Sequence, residues 1–405
     1  MTGPLDGVTV LDFTERVQGP YATQMLGDLG ADVIKVERRI ALTPDGRADE
    51  RYATGGGARP TSLYRATFLA NNRNKRSIAL DLKTDAGRRI AHALVAKADI
   101  VYENFRPGAM ARLGLAYEDC ARIKPDVIYV SASGYGHDGP YVDKPGQDVL
   151  IQAVSGLGVV NEAADGRPTP VGMSISDVLG GVNGAAAALA ALVHRDRTGE
   201  GQQVHVDLLG ATLAAMSEHI VHFANNHPGE PVRETPMHGH GYIPPPYGFY
   251  RTQDGYIALS SGRQIPEICA LIGLPDLSAD PRFDTFDKRN ANRADMELLI
   301  EERLSEGTTD HWLSILEPAD IFVARVNSLE EALADPQIVH TQRLQTLEGP
   351  DGDLTLVSSP MRFSRSVPKP ASPPPLHGGS TAEILVELGL PADLLSTPSH
   401  EGAHA

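Results

Sequence analysis

The first 38 residues constrain the fold more than any other part of the chain. Val8 to Phe13 reads as a buried strand, and Asp32 to Glu37 reads as a second. Between them, Tyr21 to Leu29 reads as a helix. It is opened by Gly19 and Pro20, with the proline in the first turn, where its missing N–H is harmless. Two strands joined by so short a helical crossover form a right-handed, parallel β-α-β unit. The pattern then repeats. Asp85 to Ala98 is helical, Asp99 to Phe105 and Asp126 to Ser133 are strands, and Val204 to Leu208 is a strand after the turn at Gly199 to Gln203. The chain is therefore read as α/β, with a Rossmann-like large domain built on a parallel sheet.

At 405 residues the chain is too long for one ordinary core, which implies two domains. Residues 225–246 are rich in Pro, Gly and His and read as a loop. After it come a hairpin over Tyr247 to Ser261 turning at Asp254 and Gly255, and helices near Ala294 to Leu304 and Thr309 to Leu316. These form a smaller α+β domain, inserted over residues 225–330. The large domain takes residues 1–224 and resumes over 331–405. That last part has strands at Leu354 to Val357 and Met361 to Phe363, a proline-rich stretch from Ser366 to Pro375, and a short helix from Thr381 to Leu388.

Composition excludes several classes of function. A net charge of −16 argues against general nucleic-acid binding. No apolar stretch reads as long enough to span a bilayer. Two cysteines, Cys120 and Cys269, rule out a disulfide framework and fit a cytoplasmic protein. The charge is uneven, however. Arg51 to Leu80 contains no Asp or Glu but holds Arg51, Arg59, Arg65, Arg73, Lys75 and Arg76, with Arg38 and Arg39 just upstream. A basic island in an acidic chain marks either a solvated surface or a local anionic ligand.

Open α/β sheets bind ligands beyond the carboxyl ends of their strands. That directs attention to Thr14 to Gly19, Glu37 to Arg39, Asn104 to Gly108 and Gly134 to Asp148. Nicotinamide binding would need a G-x-G-x-x-G turn after the first strand. Arg16-Val17-Gln18-Gly19-Pro20 stands there instead, although Glu37 occupies the place of the ribose-binding acid. Glu218, His219 and His222 have helical spacing, with His227 and His238 beyond. They lack zinc-motif order, so no metal is assigned. Asp177 precedes an apolar run of small residues, Ala185 to Val193. A carboxylate there is either a helix cap or a nucleophile held where backbone N–H groups stabilise developing charge.

The chain resembles the type III CoA-transferases, a family that includes formyl-CoA transferase and carnitine CoA-transferase, with α-methylacyl-CoA racemase as a relative. The resemblance rests on Leu11-Asp12-Phe13 through Gly19-Pro20, on Leu29 through Arg38, and on Asn74-Lys75-Arg76-Ser77-Ile78. Asn104-Phe105-Arg106-Pro107-Gly108, Gly134-Tyr135-Gly136, Gly139-Pro140-Tyr141, Gln152 to Gly156 and Arg197 to Gln202 continue it, as do Asp335-Pro336-Gln337 and Glu383-Ile384-Leu385. It covers nearly the whole chain. It implies that Asp177 is a nucleophile carried through aspartyl anhydride and aspartyl-CoA thioester intermediates. Gln18 would be an oxyanion donor, with Val17 in the same turn. It further implies that Arg38, Asn71, Arg73, Asn74, Lys75, Asn104, Phe105, Arg106 and Arg112 contact CoA, and that Gln147 and Asp148 belong to the substrate site. Gly239, His240 and Gly241 would lie in a glycine-rich flap. No cofactor is held permanently, and coenzyme A enters as the acyl-CoA substrate. The partners implied are an acyl-CoA, a carboxylic acid and a second copy of the chain in an interlocked homodimer.

A racemase of this family is the alternative. It would use a histidine before the aspartate of a Gly-His-Asp run, where this chain has Gly146-Gln147-Asp148. Gln147 cannot take up or deliver a proton near neutral pH. A racemase glutamate after the Tyr256 to Leu259 strand falls near Arg263. Arg16 and Arg263 suggest instead a small dicarboxylate as donor or acceptor. A non-catalytic CoA-binding protein is the third reading.

Overall fold

The computed structural model describes residues 3–39, 63–161, 166–226, 239–240, 242–260, 264–349, 352–367, 371–391 and 394–395. Two compact units are present. The first comprises Met1–Gly158, Pro170–Ala215 and Thr341–Ala405; the second comprises Val159–Thr169 and Met216–His340. The break therefore falls at Ala215 rather than at 224, and the return at Thr341 rather than at 331. Pro and Gly content marks where the chain leaves a helix. The division between units comes earlier, where one helix (Leu208–Ala215) gives way to another (Ser217–Asn226) without any change in composition.

The first unit is built on six parallel strands: β1 (Thr9–Asp12), β2 (Asp32–Arg38), β3 (Lys75–Leu80), β4 (Ile100–Glu103), β5 (Ile128–Ser133) and β6 (Gln202–Asp207), in the order β3-β2-β1-β4-β5-β6. This is the Rossmann order, and the direction of winding reverses between β1 and β4. Alternation along the strands feeds two cores. Leu11, Ile34, Ile78, Val101 and Tyr129 face one side with Ile90, Leu94 and the C-terminal Ile384 and Leu385. Val10, Val33, Ile100, Tyr102 and Val130 face the other side. There they meet the first helix (Gln18–Asp28) through Ala22 and Leu26, and a long helix (Ile175–Thr198) through Ala185, Ala188 and Ala191.

The long helix is the one described helix with the length and apolarity to cross a bilayer, which the sequence reading did not anticipate. Its small residues explain the composition. A Cβ on Gly180 would lie 2.9 Å from Gln18 Nε2, one on Gly181 would lie 2.8 Å from the Gln18 carbonyl, and one on Gly184 would lie 1.8 Å from Tyr102 Oη. The apolar stripe is thus a surface for close approach to the first helix and the sheet. The helix ends at Gly199, whose φ of 77° is the left-handed conformation that glycine adopts without a Cβ penalty.

The second unit is α+β. β7 (Tyr247–Arg251), β8 (Tyr256–Ser260) and β9 (Val323–Arg325) form an antiparallel sheet. Tyr250, Ile257 and Leu259 pack there with Ile268, Met296, Ile300, Trp312 and Leu316 from its helices. In the first unit, β10 (Leu344–Gly349) and β11 (Gly352–Val357) form a hairpin. Met361 to Phe363 is not a strand, so the extended-looking sequence there has no pairing partner. β3, within the basic stretch from Arg51 to Leu80, is the edge of the main sheet.

Gly184→Ala is expected to destabilise the fold by about 1–3 kcal/mol through overlap with Tyr102. Tyr102→Phe, which removes a buried hydroxyl without a hydrogen-bond partner, is expected to cost little alone and to recover most of that loss. Urea unfolding of the two single variants and the double variant measures this coupling.

Candidate active site

Asp177 is the third residue of the Ile175–Thr198 helix, not its cap. Ser174 precedes the helix and makes no side-chain cap hydrogen bond. The capping acceptor comes from elsewhere in the chain. Asp148, the first residue of the Asp148–Ser155 helix, accepts at Oδ1 from the backbone N–H groups of Ser176 (2.7 Å) and Asp177 (3.2 Å). Its Oδ2 accepts from Gln152 Nε2 at 2.6 Å. Gln152 in turn accepts from Val171 N at 2.8 Å, which draws the approach to the long helix into the same cluster.

The consequence for Asp177 is electrostatic. Burial raises its pKa, and the neighbouring Asp148 carboxylate raises it further, to about 7. Near neutral pH the group is divided between the acid and the carboxylate. It keeps one face open, since it is only partly buried.

Gln18, the first residue of the first helix, packs against the same long helix. Gln18 is 4% exposed, and its Nε2 has no hydrogen-bond partner. That nitrogen packs on Gly180, one turn beyond Asp177. A buried, unspent N–H donor is costly unless something fills it. Val17 stands at the N-cap position of the same helix, and Arg16 before it has a left-handed φ of 71°.

The loops after β1 and β4 flank the point where the sheet changes direction. Asn104 fastens them together: its Oδ1 accepts from Glu15 N at 2.8 Å, and its Nδ2 donates to Glu15 O at 2.9 Å. Glu103 holds the next turn by accepting from Phe105 N at 2.9 Å. Phe105 and Arg106 line a recess of about 200 Å³ with Ser131, His137 and His205, whose imidazoles stack 3.8 Å apart. Arg38 at the end of β2, Arg106 and Arg112 are exposed. A larger groove of about 730 Å³, near Arg73, Arg362 and Phe363, lies by the amino end of β3. It lies at the amino rather than the carboxyl end of that strand.

Four residues expected to contact CoA turn inward. Arg73 donates to Asp28 through Nε (2.9 Å) and Nη2, and to Val357 O at 2.9 Å. Asn74 donates to Asp28 at 2.9 Å and accepts from Ser372 N at 2.7 Å. Asn71 donates to Thr67 O at 2.7 Å. The Lys75 ammonium is enclosed and paired with Asp12 at 3.0 Å. Their side chains are committed within the fold, because β3 and the residues before it pack against the first helix and the C-terminal segment. Arg76 is likewise engaged, with Asp32 at 2.6 Å and Glu387 at 2.8 Å.

Glu37, in the place of a ribose-binding acid, turns into the protein. It is buried, accepts from Ser77 Oγ, and lies 3.6 Å from His377 Nδ1. Gln147 is exposed and precedes Asp148.

Gly239 and His240 belong to the second unit. A Cβ on Gly239 would lie 2.1 Å from the Tyr247 carbonyl, so the position requires glycine. His240 Nδ1 lies 3.2 Å from Tyr242 Oη, which donates to Glu218, and its carbonyl accepts from Arg293 at 3.1 Å. Gly241, Arg263, His227, His238, Arg51 and Arg59 lie outside the described residues. Among the described residues, no three His, Cys, Asp or Glu side chains are arranged to hold a metal ion.

The model of the family described as CoA-transferase family III matches residues 5–381. The chain is 35% identical over 388 residues to the succinyl-CoA:glutarate CoA-transferase of Mus musculus, covering 95% of this chain and 86% of that protein. It is 37% identical over 338 residues to the acetyl-CoA:oxalate CoA-transferase of Acetobacter aceti, covering 83% and 84% of the two chains. The crystal structure of a CAIB/BAIF family protein from Brucella suis superposes with a TM-score of 0.80 at 33% identity, covering 96% of this chain and 100% of that one.

Ionised Asp177 is a cost to the fold, and the sign follows from the raised pKa. An unfolded aspartate ionises near 3.8, whereas the folded one resists ionising until about 7. The penalty is absent at low pH, grows as pH rises between these values, and is full above 7. Asp177→Asn is therefore expected to stabilise the protein by about 1–3 kcal/mol at pH 8. The advantage should fade as pH falls toward 4, as read by chemical denaturation across that range.

Proposed function

Because the chain belongs to CoA-transferase family III, we propose that Asp177 is the nucleophile through which it moves CoA from an acyl-CoA to a carboxylic acid. The observation that carries this assignment is a partly open carboxylate in the first turn of a helix whose Gly180, three residues on, packs against the unspent amide of Gln18.

The chemistry proceeds by acyl exchange. A carboxylate oxygen of Asp177 attacks the thioester carbonyl; the C–S bond breaks, and CoA leaves as thiolate. The donor acyl group is now in a mixed anhydride with Asp177. The thiolate attacks the aspartyl carbonyl and expels the donor as its carboxylate, leaving an aspartyl-CoA thioester. The acceptor carboxylate attacks that thioester and frees the thiolate, forming a second anhydride. The thiolate then takes the acceptor acyl group and restores Asp177. No net proton or electron is consumed, so the site needs neither metal nor redox partner. Gln18 Nε2 supplies a donor for the oxyanion of each tetrahedral stage, a contribution of about 3–4 kcal/mol where such donors have been removed.

CoA lies across the reversal point between β1 and β4, with Arg38, Arg106 and Arg112 offered to its phosphates and Phe105 to its adenine. The acceptor is a small dicarboxylate, in keeping with the two named relatives. Arg16, at the strained turn before Gln18, is the candidate for its second carboxylate. Two copies of the chain associate, because Val149, Leu150 and Val154 together with Val182 and Val193 expose apolar surface on the helices around Asp177. Sedimentation as a single 43.3 kDa species would contradict this.

The racemase reading is weaker. Asp148 is occupied in capping the long helix, and Gln147 cannot serve as an acid or base near neutral pH. A panel of succinyl-, acetyl- and longer acyl-CoA donors against mono- and dicarboxylic acids tests the assignment. Transfer to dicarboxylates is expected, and Asp177→Ala should abolish it while leaving CoA affinity within about twofold. α-Proton exchange on a branched acyl-CoA, with no transfer, would establish the racemase instead.

A further inference from the structure

The Lys75 side chain, expected to contact CoA, is enclosed by the fold. We propose that it is a positioning residue for acyl transfer, acting through Asp12 and Thr23 on the turn that carries Gln18. This rests on the reading of Gln18 given above.

The Lys75 ammonium is fully enclosed, and four oxygens surround it: Asp12 Oδ2 at 3.0 Å, Pro20 O at 2.9 Å, Thr23 Oγ1 at 2.8 Å and Asn72 Oδ1 at 2.9 Å. Three of these belong to the segment from the end of β1 to the second turn of the first helix. Gln18 lies inside that segment.

The same segment is pinned on its other side. Asp12 Oδ1 accepts from Thr14 N at 2.8 Å and Thr14 Oγ1 at 2.5 Å, and Lys35 Nζ donates to Thr14 O at 2.7 Å. Thr23 Oγ1 donates to Asp12 Oδ2 at 2.8 Å and so bridges the pair. Thr14 and Pro20 are therefore both fixed to one charge cluster, and Glu15 to Gly19 must close between them. The closure is tight. Arg16 takes a left-handed φ of 71°, and a Cβ on Gly19 would lie 2.3 Å from Thr14 Cγ2. Backbone in that region persists only where its surroundings hold it there.

A buried ion pair is a poor way to gain stability, because desolvating both charges offsets their attraction. It is a good way to fix a geometry. Here the fixed geometry is the unspent Gln18 amide lying on Gly180. Displacement of such a donor by about 1 Å costs up to ~10²-fold in rate.

The decisive variant is Thr23→Val, which keeps the shape and deletes only the bridging hydroxyl. It is expected to lower kcat by about tenfold, with KM for acyl-CoA and Kd for free CoA within about twofold. Thr23→Ser should restore kcat. Lys75→Met combined with Asp12→Leu should lower kcat further. If that double variant does not fold, Thr23→Val decides alone. In a Gln18→Ala background, Thr23→Val should change kcat by less than about twofold, because the group it acts through is gone. Loss of CoA affinity at unchanged kcat would make Lys75 and its partners a binding element and overturn the proposal. An equal drop in kcat with and without Gln18 would reduce them to general structural support and overturn it too. A Gln18→Ala enzyme as fast as wild type would remove the role of Gln18 itself, a separate failure visible before any Thr23 variant is made.

Discussion

Gly180 and Gly181 let the first helix lie directly on the long helix, and the site depends on that contact. Any side chain at either position would collide with Gln18 or Tyr21. Helices separated by ordinary side chains pack about 8–10 Å apart, and small residues allow closer approach. Here the approach sets one helix start against another, so that the Gln18 amide lies one turn from Asp177. Gly184 and the alanines beyond it extend the contact to Tyr102 and the sheet. The apolar stretch after Asp177 is therefore fixed by packing, and that packing holds the Gln18 amide against Gly180.

Asp148 shows how the same helix end serves two needs. It satisfies two of the N–H groups that a helix start leaves open. In doing so it puts a second negative charge beside Asp177 and resists ionisation there. A helix N-terminus by itself favours an anion, but burial and the adjacent carboxylate outweigh that. The fold thus holds its candidate nucleophile in a state more basic than a free aspartate. A more basic carboxylate is a better nucleophile toward a thioester and a poorer leaving group from the anhydride.

Much of this was legible in the sequence. The β-α-β start, the later strands and the inserted α+β unit all announce themselves through periodicity and turn residues. Asp177 and Gln18 were marked by their place in ordered motifs. Legibility failed where a charged residue faces inward. Lys75 and Arg76 placed this stretch in a basic island, open to a solvated surface or an anionic ligand, although Ser77, Ile78 and Leu80 carry a strand. Arg73 and Asn74, expected from the resemblance to contact CoA, have their side chains held by Asp28 and Ser372. No local pattern could report this, because the partners lie 45 and 298 positions away in sequence. The cap on the Asp177 helix was hidden in the same way, since it comes from another helix. Charge tells which residues need a partner, and only the tertiary fold tells whether that partner is protein or ligand.

The central claim is that Asp177 becomes covalently acylated during transfer. Incubation with an acyl-CoA in the presence of hydroxylamine, followed by peptide mapping by mass spectrometry, tests it most directly. The account predicts a hydroxamate on Asp177 alone, formed only when acyl-CoA is present. Full transfer activity with Asp177 unmodified, or a hydroxamate on another carboxylate, would contradict it.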